Sequence, residues 1–202
     1  MTISSYTTLS TSVAAWLDVS SSDISTVVSD LVTVAEKRIF REVRNTTMEA
    51  ALSVTISSGS AAVPADFVEL KYAYIDATPT QWLEMRPIAW VYERYPTRSA
   101  GGKPKFMAKD GSTFIFGPYP DSGYTVKGVY YKRLSEIQTS VNALLTNYPD
   151  LYLFACLAES EQLLGRDKRI PIWESKYRMI KDRVNAEDVA SRFSSGMSVR
   201  TG

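Results

Sequence analysis

The spacing of hydrophobic positions divides the chain into helical ends and a β-rich middle. Near the N-terminus, apolar residues recur at i, i+3, i+4 and i+7, which predicts amphipathic helices over residues 8–17 and 23–44. From about Met48 the pattern changes to short runs of Val, Ile, Tyr and Phe between turn residues, which is typical of strands. The helical period returns after Pro149.

Six strands are predicted in the β-rich middle, over residues 50–56, 70–75, 81–84, 105–108, 113–116 and 125–132. Asp110-Gly111 lies between two of them and indicates a tight hairpin turn. A short helix is predicted over residues 87–94, followed by an exposed loop over 96–104. We expect Phe67 to fill the core of the sheet and Asp66 to cap the adjacent turn.

Two more helices are predicted in the last third of the chain. Pro149 can begin a segment that is apolar nearly all round and ends near Gly165. Pro171 begins another helix, which should run to about Ala190. The remaining residues, 191–202, are too polar to bury much apolar area and are predicted to form an extended tail.

The order of these elements predicts an α+β fold. The N- and C-terminal segments should form a helical bundle, with a β-rich, sandwich-like or barrel-like domain inserted between them. The predicted parts are residues 1–47 and 146–190 for the helical body, 48–145 for the inserted domain and 191–202 for the extended C-terminal tail.

Composition narrows the possible chemistry. The chain has 202 residues with 45% hydrophobic content, and its net charge of +1 creates no overall field to attract a polyanion. Histidine is absent, which excludes Ser-His-Asp and Cys-His catalysis, and Cys156 stands alone. We therefore expect no enzyme, no metal site and no cofactor. No apolar run approaches the roughly 18 residues of a membrane span, so no membrane partner is expected.

Three collinear blocks of sequence resemble the phage adaptor proteins, the head–tail connectors of tailed phages. The first is Ala-Glu-Lys-Arg-Ile-Phe-Arg-Glu-Val-Arg at 35–44, followed by Met48-Glu49. The second is Val-Pro-Ala-Asp-Phe-Val-Glu-Leu at 63–70. The third is Tyr-Pro-Asp-Leu-Tyr-Leu-Phe at 148–154, with Leu-Ala-Glu at 157–159. The resemblance covers most of the chain from Tyr6 to about Val189.

The resemblance implies a structural protein rather than an enzyme. Such adaptors form a ring beneath the portal protein, dodecameric in this family, and the ring's other face receives tail or nozzle components. The ring leaves a central channel, so DNA is passing cargo rather than a bound ligand. The expected location is the neck of the virion, after synthesis in the host cytoplasm.

The resemblance also implies that the C-terminal segment reaches the portal. Within residues 191–202, apolar side chains could enter portal pockets and arginines could pair with portal acids; the candidates are Arg192, Phe193, Met197, Val199 and Arg200. The alternative is a frayed terminus without a partner.

Arg38 and Arg41 are candidates for contacts between ring subunits. They lie three residues apart on a predicted helix and could project together toward acids of a neighbouring copy. The alternative is a solvated helix face with intrahelical ion pairs.

Two other functions stay open from the sequence alone. A carbohydrate-binding or carbohydrate-active β module is suggested by the aromatic residues Trp82, Trp90, Tyr92 and Tyr95. An oligomeric DNA-binding regulator is the other, although neither a motif nor the net charge favours it.

Overall fold

The computed structural model describes residues 2–18, 25–99, 101–160 and 168–194. The chain forms two compact units, one made of Met1–Met48 with Leu134–Gly202 and the other of Glu49–Arg133. We call them the helical unit and the β unit. The β unit is shorter than the predicted 48–145 domain, because residues from Leu134 onward pack with the helices.

The helical unit contains five described α-helices and one short 3-10 helix. They are α1 (Tyr6–Leu17), α2 (Ser25–Glu42), the 3-10 helix Thr46–Met48, α4 (Ala143–Asn147), α5 (Pro149–Ala158) and α6 (Ile170–Ser194), while α3 (Ile88–Arg94) belongs to the β unit. A capping box starts α1: the Ser5 hydroxyl accepts the Thr8 N–H at 3.3 Å and Thr8 Oγ1 accepts the Ser5 N–H at 2.9 Å.

Helix α5 is apolar nearly all round because other helices cover it. It packs against α1, α2, α4 and α6, so nearly every side chain along it is buried. Pro149 occupies its first turn, as expected for a residue without a backbone N–H to satisfy. Cys156 is a fully buried free thiol in this helix, in agreement with a structural role. The helix ends at Ala158, and Gly165 lies outside the described residues.

The β unit is a single mixed sheet of seven strands. In chain order the strands are β1 (Glu49–Thr55), β2 (Ser60–Ala62), β3 (Phe67–Ile75), β4 (Gln81–Met85), β5 (Phe106–Asp110), β6 (Thr113–Gly117) and β7 (Thr125–Lys132). Their order across the sheet is β1-β7-β3-β4-β5-β6-β2, and only the β4–β5 pair is parallel. Strands β1 and β2, at the two ends of this order, contact each other, so the sheet is nearly closed.

The predicted hairpin and the predicted α+β class are both confirmed. Asp110 pairs with Thr113 across the β5–β6 turn, where Gly111 has a φ of +56°. Phe67 is half-buried: its ring stacks on Tyr130 at 5.5 Å and meets the edge of Phe114 at 5.4 Å. It therefore packs on the core of the sheet without being enclosed by it.

Two local expectations need correction. Asp66 does not cap a turn with its side chain: its Oδ1 accepts the Tyr130 hydroxyl at 2.8 Å. Strand β2 was not predicted, because three residues are too few to show an alternating pattern.

The end of the chain also differs from the prediction. Helix α6 continues to Ser194, four residues beyond the expected end, because the polar residues 191–194 contain no Gly or Pro to interrupt the ladder. Arg192 and Phe193 therefore lie on a helix, whereas Met197, Val199 and Arg200 lie outside the described residues. Across the described ranges, no helix is both long and apolar enough to cross a bilayer.

Candidate functional site

A four-residue ion-pair cluster joins three helices of the helical unit. Arg38 on α2 donates from Nε to Glu42 at 3.2 Å, from Nη1 to Glu159 after α5 at 2.9 Å, and from Nη2 to Glu174 on α6 at 2.8 Å. Its guanidinium also lies 4.4 Å from the centre of the Tyr177 ring. One side chain thus cross-links α2, α6 and the end of α5.

The electrostatics of this cluster follow from its partial burial. Burial alone would lower the pKa of Arg38, but its hydrogen bonds to Glu174 and Glu159 outweigh this effect and hold that pKa above its usual value. The hydrogen bond from Arg38 lowers the pKa of the Glu174 carboxyl. Burial, together with Glu42, raises the pKa of Tyr177, whose hydroxyl donates to Glu42 at 3.0 Å. These shifts keep Arg38 and Glu174 charged and Tyr177 neutral at pH 7.

The structure separates the two arginines that the sequence analysis grouped. Arg38 is 17% exposed and fully engaged within its own chain, which gives it a role in the helical unit. Arg41 is exposed, and its side chain has no partner among the described residues. Contact between these arginines and a neighbouring subunit stays a prediction. The sequence did not predict the partners of Arg38, because Glu159 and Glu174 are 121 and 136 residues from it along the chain.

A second polar clamp fixes the end of α2 to α6. Asn45 is buried and donates from Nδ2 to the Val184 carbonyl at 3.2 Å. The Arg44 N–H donates to Asn185 Oδ1 at 2.9 Å, and Asn185 Nδ2 donates to the Glu42 carbonyl at 3.1 Å. These hydrogen bonds hold residues 42–45, at the end of α2, against α6.

One face of α6 exposes large apolar side chains at seven-residue spacing. Ile172 is 58% exposed and Met179 is 55% exposed, while the opposite face is buried. Continuing at the same interval brings Ala186 and then Phe193 in the sequence. The exposed cations Lys176 and Arg183 flank this face. We call it the outer α6 face; an apolar stripe of this kind fits a groove or helix of another protein.

Exposed aromatic residues also occur on the outer side of the sheet. Trp82 is 63% exposed, and its ring lies 5.8 Å from both Tyr72 and Tyr74, each in an edge contact. Trp82 and Tyr74 are partners in the β3–β4 register, so both project to the same side. This trio is a second apolar surface, on the β unit.

The structure does not bring together the aromatic group proposed for a carbohydrate site. Trp90 and Tyr95 pack with Phe106, at 4.7 and 6.2 Å between ring centres. Tyr92 lies beside Arg98 instead. Trp82 contacts neither group, so these four rings form no common stacking platform. In the described part of the chain, no cluster of three or more Asp, Glu or Cys residues could hold a metal ion.

Comparison with known proteins identifies one family. The family model described as SU10 adaptor protein matches residues 4–200, which is nearly the whole chain and includes both units. No curated protein matches the sequence.

Proposed function

Because the chain belongs to the SU10 adaptor protein family, we propose that it is a structural head–tail adaptor of a tailed bacteriophage. In this role, copies of the chain form a ring that joins the portal to the tail and leaves a central channel for DNA. The family match over residues 4–200 is the observation that carries the proposal. It supports a protein that works through its surfaces, located in the virion.

The proposed ring has twelve subunits whose bodies are helical bundles. The contacts of α5 with α1, α2 and α6 support such a body, because a helix covered on all sides needs several neighbours. Ring closure requires two different surfaces on each copy, since head-to-tail contacts generate cyclic assemblies. Arg41 is the exposed cation proposed for one of them, paired with acids of the next copy.

The proposed portal-binding element is the outer α6 face together with residues 195–202. Exposed Ile172 and Met179 support it, because large apolar groups on one stripe are typical of docking helices. Arg192 and Phe193 are in the last turns of the same helix, and Met197, Val199 and Arg200 follow. Portal acids would pair with the arginines while portal pockets receive the apolar side chains.

Electron microscopy of the chain mixed with purified portal tests the proposal directly. We expect a second ring with twelve-fold symmetry on the portal. A chain that never joins the portal, and joins no other head or tail component of the same phage, would contradict the adaptor role.

Two variants locate the portal contact. Truncation after Ser194 leaves α6 intact and removes only the last eight residues, and Met179→Asp places a charge on the outer α6 face. Val34→Asp, at an exposed valine of α2, is the matched control. We expect the first two to reduce portal binding at least tenfold while the control binds normally. Normal binding by both would assign the contact to another surface.

A further inference from the structure

Among the described residues, no positively charged group pairs with one buried carboxyl of the helical unit. Glu36 on α2 is only 2% exposed. Its Oε1 accepts the backbone N–H of Ile137 at 3.1 Å, and Asn142 Nδ2 and the Tyr152 hydroxyl each lie 3.4 Å from the same oxygen. No ion pair to Glu36 occurs within the described ranges. Neutral donors alone therefore hold this carboxyl.

These donors come from the segment that follows β7 and from α5. Ile137 belongs to residues 134–142, which follow β7 and which we call the return segment. Asn142 ends that segment and caps α4, because its Oδ1 accepts the Leu145 N–H at 2.9 Å. Tyr152 is on α5. Glu36 thus links the return segment to α2 and to α5.

The hydrogen-bond chain through Tyr152 has two possible directions. With Glu36 ionised, the Tyr152 hydroxyl donates to Glu36 and accepts from Asn142 Nδ2 at 2.9 Å. With Glu36 protonated, the carboxyl O–H donates to Tyr152, and the Tyr152 hydroxyl donates to Asn142 Oδ1 at 3.2 Å. The protonated arrangement adds a second donor to the oxygen that caps α4. In both, Asn142 Nδ2 can bond the Ser135 carbonyl at 2.9 Å.

The surroundings of Glu36 favour its neutral form. Burial is the main cause that raises the pKa of Glu36 to about 7, and Glu136 of the return segment acts in the same direction. The hydrogen bonds from Ile137, Tyr152 and Asn142 act in the opposite direction. From α5, Tyr152 and Cys156 also face Glu36. Helices α1 and α4 contain no charged residue, and α6 presents Glu174 and Lys181 to Arg38 and Glu42 instead.

We propose that Glu36 is a proton-sensitive latch that holds the return segment as a neutral acid and loosens it on ionisation. Opening the latch exposes the carboxyl to water, where its pKa returns to about 4.5. The open state thus releases the proton more readily, and rising pH favours opening. With a pKa of about 7 in the closed state and about 4.5 in the open state, the equilibrium constant for opening increases about tenfold between pH 6 and pH 8. The total increase from low to high pH is about 300-fold.

Hydrogen exchange on the full chain measures this opening. Peptides from residues 134–142 are followed at pH 6 and pH 8, with rates corrected for the intrinsic pH dependence of exchange, and peptides from β1 serve as an internal reference. We expect protection of the return segment to fall about tenfold at pH 8 in the wild type. Glu36→Gln, which keeps the shape without an ionisable proton, should show no such change. Equal pH responses in the two proteins, or none in the wild type, would overturn the proposal.

Two further measurements keep the test decisive if Glu36→Gln does not fold. Carboxyl-carbon NMR of the wild type should show one glutamate that titrates near neutral pH, and ordinary titration of every glutamate would refute the latch. Tyr152→Phe removes only the hydroxyl that relays the proton state to Asn142. In this variant we expect the return segment to stay pH-sensitive while the α4 peptides lose their pH response. Unchanged α4 behaviour would reject the relay, and an unresponsive return segment would reject the latch.

Discussion

Replacing Arg38 with methionine should destabilise the helical unit by about 2–4 kcal/mol. Methionine keeps the length of the stem and the helix propensity but removes the guanidinium, which leaves Glu159 without its cation and Glu174 with only Arg178. An exposed ion pair contributes less than about 1 kcal/mol, and loss of one partner of a buried pair costs about 3–5 kcal/mol. The cluster is between these limits, since Arg38 is 17% exposed and its three acids are partly exposed.

The matched control is Arg41→Met, one turn further along the same helix. Arg41 is exposed and unpaired in the described part of the chain, so its replacement should change stability by less than about 0.5 kcal/mol. Arg38→Lys keeps the charge but cannot span three carboxylates, and we expect a loss between those of the two methionine variants. The order of stability should therefore be Arg41→Met, then Arg38→Lys, then Arg38→Met.

Thermal unfolding followed by circular dichroism at the helical wavelengths gives the measurement. A loss of 2–4 kcal/mol corresponds to a Tm lower by about 5–15 °C for a protein of this size. The difference should shrink as pH falls through the lowered pKa of Glu174, because protonation of Glu174 removes its pairing with Arg38. Equal melting of Arg38→Met and Arg41→Met at pH 7 would refute the structural role of the cluster and favour the predicted subunit contact of Arg38.

Four other changes have defined outcomes. Urea titrations at several pH values measure the free energy of unfolding of the wild type and of Glu36→Gln. Relative to the variant, the wild type should lose up to about 3 kcal/mol of stability between pH 4.5 and 7, because Glu36 keeps its proton to higher pH in the folded state than in the unfolded chain. Phe67→Ala should lower the free energy of unfolding by about 2–3 kcal/mol in the same assay. This loss is smaller than for a fully buried phenylalanine, because Phe67 is half-buried. Gly128→Ala should prevent correct β3–β7 pairing, visible as loss of soluble protein, because a Cβ there would lie 2.1 Å from the Tyr72 carbonyl oxygen. Truncation after Ser194 should leave Tm unchanged while reducing portal binding.

The spacing of hydrophobic residues predicted the helices and strands that bury one face and expose the other. Val28, Leu31 and Ile39 follow the helical period and are all buried in α2. The Asp-Gly turn predicted the β5–β6 hairpin, because glycine readily adopts the positive φ that this turn requires. Strand β2 carried too few residues for any period, and the end of α6 was misplaced because polarity alone does not terminate a helix.

Long-range polar contacts could not be predicted from spacing. Nothing in the sequence near Arg38 indicates that its acids come from α6 and the end of α5. Glu36 did carry a signal: it lies four residues after Val32 and three before Ile39, so the helical period places it on the buried face of α2. An ionisable residue at such a position must have buried hydrogen-bond partners, although the period does not say which ones.

The distribution of charge in the helical unit bears on how an adaptor can assemble. Arg38 is held by acids of its own chain, and Lys181 pairs with Glu42 at 3.7 Å, so these charges stabilise each copy before it meets a partner. Ile172 and Met179 remain exposed on the same helix that carries Glu174 and Lys181. A helix whose inner face is locked by ion pairs keeps its outer face in one orientation, which lowers the entropy lost when another protein binds it. Disruption of the Arg38 cluster should therefore weaken assembly indirectly, with portal binding falling in proportion to the loss of helical stability, whereas Met179→Asp should weaken binding at unchanged Tm.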